Sequence, residues 1–138
     1  NAYDIIGLAG ALQPAIKSPA LWHLMAPREN WRGYVAHSIA DSPGTVHMTS
    51  FGPTPSRVAI ADGVFLAVNL KRAIGTDWKF NEDYRYHHYD IASCLDANKK
   101  KLKIGVSNIN VIHDSPGLEN INDPEWLASE KKFLQSYS

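Results

Sequence analysis

One cysteine in 138 residues excludes an intramolecular disulfide and any all-cysteine metal site. Cys94 sits among apolar neighbours, which suits a small buried hydrophobe better than a nucleophile. Charge of either sign is not in excess: fourteen Lys and Arg face fourteen Asp and Glu, so no global field recruits nucleic acid or an anionic membrane. The local exception, Lys99, Lys100, Lys101 and Lys103, fits a solvated helix end. No apolar run approaches the roughly 18 residues of a spanning helix. Gly7-Leu8-Ala9-Gly10 has no Lys-Ser/Thr after it and is not a P-loop. A serine elbow, a zinc-protease helix and a CxxC pair are missing too. The usual ATPase, serine-hydrolase and zinc-finger readings therefore fall away.

What is present is a globular composition, 44% hydrophobic and 20% charged, of a length that suits a single domain over 1–138. Asn1-Ala2-Tyr3-Asp4 has neither an initiator Met nor a signal-peptide pattern and runs straight into a strand, as expected of a piece of something longer. The apolar run 3–9 predicts a buried strand. Ser18-Pro19 predicts a short helix through Leu21, Trp22 and Leu24, stopped at Pro27. Residues 33–39 and 45–51 predict two strands about the turn Asp41-Ser42-Pro43-Gly44. Residues 57–61 and 64–70 predict strands around Asp62-Gly63, either a hairpin or a kinked strand carrying backbone to a ligand. A helix is expected over 88–100, a strand over 102–112 ending at His113, and a last helix opened by Asp123-Pro124-Glu125. The sum is α/β.

Four titratable groups crowd two of these segments: His87, His88, Asp90 and His113. A helix N-terminus stabilises an anionic Asp90, which suits a base ionised at neutral pH and equally an ordinary acid complementing the helix dipole. His113 closes a strand and leads into Asp114-Ser115-Pro116-Gly117, a position where an imidazole serves as a structural group or as a ligand to a divalent metal. Glu82 and Asp83 are the rival bases. Trp78, Phe80, Tyr84, Tyr86 and Tyr89 offer aromatic faces that suit either a sugar ring or core packing.

The run FNEDYRYHHYDIASCLDANKKKLKIGVSNINVIHDSPGL resembles the C-terminal half of bacterial family-2-like glycosyltransferases of the GT-A fold. SRVAIADGVFLAVN resembles the same family's Asp-Gly strand, and YDIIGLAG the strand that follows the donor-binding half. The likeness spans nearly the whole chain and is weakest over 12–50. It implies an α/β fold that is the C-terminal half of a GT-A mixed sheet flanked by helices, with the donor-binding N-terminal half and its acidic Asp-x-Asp-like motif outside the sequence. It further implies inverting transfer of a sugar from a nucleotide-sugar donor to a saccharide or glycolipid acceptor, for bacterial surface polysaccharide. In that reading Asp90 is the catalytic base and Glu82 its rival. Asp62, Gly63, Trp78 and His88 line the substrate site, and His113 is a ligand to Mn²⁺ or Mg²⁺ whose other ligands lie in the missing half. The resemblance also implies a cytoplasmic protein, in reach of the membrane's inner face, with an exposed sheet edge through which two copies can pair. The competing expectations are a carbohydrate- or partner-binding module without catalysis, and a small metal hydrolase built on His87, Asp90 and His113.

Overall fold

The computed structural model describes residues 2–15, 17–114 and 121–137. The Ser115-Pro116-Gly117 loop that follows His113 in sequence lies outside them. Among the described residues the chain is mixed α/β. Its strands are β1 (Ile5–Gly7), β2 (Ala9–Ala11), β3 (Trp31–Ser38), β4 (Val46–Gly52), β5 (Ser56–Val58), β6 (Ile60–Ala61), β7 (Ala67–Val68), β8 (Ile104–Val106) and β9 (Ile112–His113). Its α-helices are α1 (Trp22–Met25), α2 (Leu70–Gly75), α3 (Tyr89–Lys99) and α4 (Pro124–Tyr137).

The strands make two sheets, ordered β5-β8-β1-β7 and β4-β3-β2-β6, with β9 paired to β3 beyond the reach of β2. Two chain segments stitch the sheets together. The predicted strand 3–9 becomes β1 and β2, which change sheet at Leu8. Residues 56–61 do the same at Ala59, whose amide donates to the Ala11 carbonyl (2.8 Å). Such switches let two sheets share one core. Gly33 is needed at the crossing: its φ is +93°, and a Cβ there would stand 1.9 Å from the Leu8 carbonyl oxygen.

The turn at 41–44 forms as expected, pairing β3 with β4 antiparallel from Gly33↔Gly52 to Ser38↔Val46. The Asp62-Gly63 hairpin does not form. β6 pairs with β2 and β7 with β1, so the segments flanking Asp62-Gly63 belong to different sheets and the kinked alternative is the one adopted. The end of the predicted strand 64–70 instead opens α2, where the Asn69 side chain accepts from the Arg72 amide. The predicted strand 102–112 also splits, into β8 beside β1 and β9 beside β3.

Two helices cover the core. α3 buries Ile91, Ala92, Ser93, Cys94 and Ala97. α4 begins where the Asp123 carboxylate accepts from the Glu125 amide (2.9 Å), and its stripe seats a fully buried Phe133 with Leu134 and Tyr137 against the core. Lys99, Lys100, Lys101 and Lys103 are exposed, as a solvated helix end requires. Among the described residues no helix is long and apolar enough to cross a membrane.

Candidate functional site

Asp62 leaves the end of β6 with its amide bound to the Ala9 carbonyl (2.9 Å). Its carboxylate accepts from the Val64 amide (3.0 Å), an Asx-type turn that bends the chain at Gly63. The first turn of α3 packs onto that bend. Asp90 Oδ2 accepts from the Gly63 amide (2.8 Å), Asp90 Oδ1 accepts from the Ile91 amide (2.8 Å), and the Tyr89 hydroxyl donates to the Gly63 carbonyl (2.9 Å). A Cβ at residue 63 would lie 2.4 Å from the Tyr89 hydroxyl oxygen, so only glycine fits between Asp62 and α3.

This interlock puts two carboxylates on one cavity of about 300 Å³, whose wall also includes Tyr86, His87, His113 and Trp126. Burial raises the Asp90 carboxyl to about 7, and the negative charge of Asp62 pushes in the same direction. Its backbone hydrogen bonds oppose the rise without cancelling it. Asp90 is thus neither the ordinary surface acid nor the low-pKa carboxylate that a helix N-terminus alone would make.

Asp62, Val64 and His113 are shared with a second cavity of about 390 Å³. His113 is the cross-strand neighbour of His37, their rings 5.5 Å apart, and His37 in turn pairs across β3 and β4 with His47. Burial, then the neighbouring His113 and His47, lower the His37 pKa. Burial lowers that of His23 as well, while Asp62 opposes it. Among the described residues no three His, Cys, Asp or Glu side chains are gathered to hold a metal ion. The hydrolase expectation on His87, Asp90 and His113 is therefore not met there. The same holds for a self-sufficient Mn²⁺ or Mg²⁺ site, which His113 alone does not make.

Asp62, Gly63, His87, His88, Asp90 and His113 thus border one cavity, while Trp78 and Glu82 take different places. His88 also borders the Asp90 cavity, but its imidazole is wholly buried against α4. It stacks on Phe133 and lies 5.0 Å from Trp126, with Nδ1 2.8 Å from Ser129 Oγ and Nε2 2.7 Å from Glu130 Oε2. Ser18 donates to the other Glu130 oxygen, so one carboxylate from α4 ties down both the turn before α1 and the residue before α3. His88 itself stands at φ +67°, a left-handed conformation that the α4 contacts hold in place. Burial lowers its pKa against the pull of Glu130.

Trp78 is buried behind α3, its Nε1 donating to the Ser93 carbonyl (3.0 Å). Glu82 is exposed, bridges Lys79 (2.8 Å), and borders other hollows than that of Asp90. Cys94 is buried under β6, where its sulfur accepts from the Ala61 amide (3.4 Å) and burial lifts the thiol to about 12. It is inert at neutral pH.

Comparison with known proteins does not name the site. No family model matches the chain, and neither the curated proteins nor the solved structures yield a match. Its chemistry rests on the residues themselves. Sequence reasoning missed His23, His37 and the Ser18–Glu130 contact. A signal existed for His37, because a turn centred near Ser42 sets it opposite His47. Nothing local marks His23 or Glu130.

Proposed function

We propose that this chain is the acceptor-side, base-carrying portion of an inverting GT-A glycosyltransferase. Asp90 removes the proton of a saccharide or glycolipid hydroxyl as that oxygen attacks the anomeric carbon of a nucleotide-sugar. The new glycosidic C–O bond forms on the face opposite the departing nucleoside diphosphate, whose C–O bond breaks, and the proton stays on the Asp90 carboxyl. The observation that carries this reading is a carboxyl at the wall of a cavity, fixed by two backbone amides and with its pKa raised to about 7. A base is most effective when its pKa lies near the working pH, and the amides leave Asp90 lone pairs free for the incoming hydroxyl. Asp62 raises that basicity and offers a second acceptor across the same cavity. Mn²⁺ or Mg²⁺ belongs to this reading with His113 as one ligand and the remainder on a donor-binding half; bound there, it would offset charge on the diphosphate. Among the described residues the outer edge of β4, which exposes Val46 and Met48, has no partner strand and is where a second copy would add.

In a glycosyltransferase carrying this chain, Asp90→Asn is expected to lower kcat by about 100- to 10,000-fold with donor affinity unchanged. The wild-type kcat/KM should climb with pH to a plateau above about 7, as the carboxyl ionises. Glu82→Gln, at an exposed ion pair, should leave both intact. Full turnover by the Asp90 variant removes the base; turnover lost only in the Glu82 variant moves it.

A further inference from the structure

The second cavity has no part in the proton transfer just described, yet it opens beside it. Its apolar wall is Phe51, backed by Trp22 with ring centroids 5.1 Å apart. Its polar residues are His23, His37 and His113 with their imidazoles, Asp62 with its carboxylate, and Thr49. Neither Lys nor Arg is among the described residues that line it. At about 390 Å³ it lies within the range of small-molecule sites, and Asp62, Val64 and His113 connect it to the Asp90 cavity.

We propose that this cavity seats a ring of an uncharged saccharide acceptor, with the reacting hydroxyl turned past Asp62 toward Asp90. The assignment rests on the glycosyltransferase reading and adds to it a place and a chemical class. A pyranose presents a C–H face that packs on an aromatic ring and a rim of hydroxyls that both donate and accept. Burial favours the neutral imidazoles of His23 and His37, each with one donor and one acceptor nitrogen, which match hydroxyls in either sense. A carboxylate accepts two hydroxyl protons at once. An anionic sugar meets the opposite conditions: its charge would leave water with no cation to receive it, and with the carboxylates of Asp62 and Asp90 nearby.

The test is a titration of the protein at neutral pH with methyl β-glucoside, methyl β-galactoside and methyl β-glucuronide, followed through the imidazole protons and the Phe51 ring protons by NMR. The neutral glycosides are expected to shift His23, His37 and Phe51, and the glucuronide at equal concentration to leave them in place. Thr49→Trp, on the cavity wall, should fill the space and weaken the neutral glycosides by about tenfold or more, with the Asp90 titration midpoint unchanged. Glycoside shifts confined to Tyr86 and Trp126 would overturn the subsite while the Asp90 reading stands. Equal binding of the glucuronide would overturn the uncharged class, and no binding of either neutral glycoside would overturn the inference outright. The base assignment is decided separately, by turnover of the Asp90→Asn enzyme.

Discussion

Replacing Asp90 by Asn should change the sign of its effect on stability with pH. The carboxyl moves from 3.8 in the unfolded chain to about 7 in the folded one, chiefly through burial and then through Asp62. Folding therefore takes up a proton between these values, and this contribution to stability is complete below about pH 4 and lost as pH rises through about 7. A shift of about 3 units at 1.36 kcal/mol each makes the loss about 4 kcal/mol. Asparagine has no such proton. It keeps one acceptor for the Gly63 or the Ile91 amide and forfeits the other, a pH-independent cost of about 1 kcal/mol. At about pH 4 the variant should thus be less stable than wild type by about 1 kcal/mol. At about pH 8 it should be more stable by about 3 kcal/mol. Urea unfolding followed by tryptophan fluorescence across this range measures the difference, in which titrations not coupled to Asp90 cancel. Asp62→Asn should flatten the curve, since it removes the second cause of the shift. A difference that stays constant between the two pH values would refute the buried, proton-binding Asp90 and with it the tuned base.

The remaining predictions concern the frame. Gly63→Ala pushes a methyl into the Tyr89 hydroxyl and the Asp90 Cβ, and is expected to cost about 1–3 kcal/mol by thermal or urea unfolding; unchanged stability would mean that the β6–α3 interlock is looser than its distances. Glu130→Gln removes the charge that supports a protonated His88, so the His88 midpoint followed by NMR should fall below its wild-type value. His88 titrates low because it is buried, so its contribution to stability is present above its unfolded pKa and lost as pH falls through its lowered folded pKa, and the variant should be more acid-sensitive near this histidine's range. An unmoved midpoint would show that Glu130 does not reach His88 electrostatically.

Elements with local signals were legible in the sequence. The 41–44 turn, the α3 periodicity and the Asp123-Pro124 helix start each state their structure within a few residues, and each is found close to where it was expected. The strands were misjudged where pairing is decided at long range. An Asp-Gly between apolar runs reads as a hairpin, but β6 reaches the core only by pairing with β2, and β7 only by pairing with β1. A one-residue change of sheet at Leu8 and at Ala59 leaves no trace in hydrophobic periodicity, because residues on both sides are buried. Tertiary pairing overrides local propensity in such places.

For the site, the sequence supplied identities and the fold supplied the environment. A carboxylate in the first turn of a helix is ordinarily a stabilised anion, and by that rule Asp90 titrates low. It is raised to about 7 because burial disfavours its charge and because the Gly63 bend brings in a second acid, Asp62, from 28 positions away. His88 shows the converse. Two residues before Asp90 it borders the same cavity, yet its imidazole is wholly buried against α4, with Ser129 Oγ and Glu130 Oε2 beside its two ring nitrogens. The acid and the imidazole, two residues apart, thus border one cavity, but only the carboxyl feels a second acid there while the imidazole is sealed against α4.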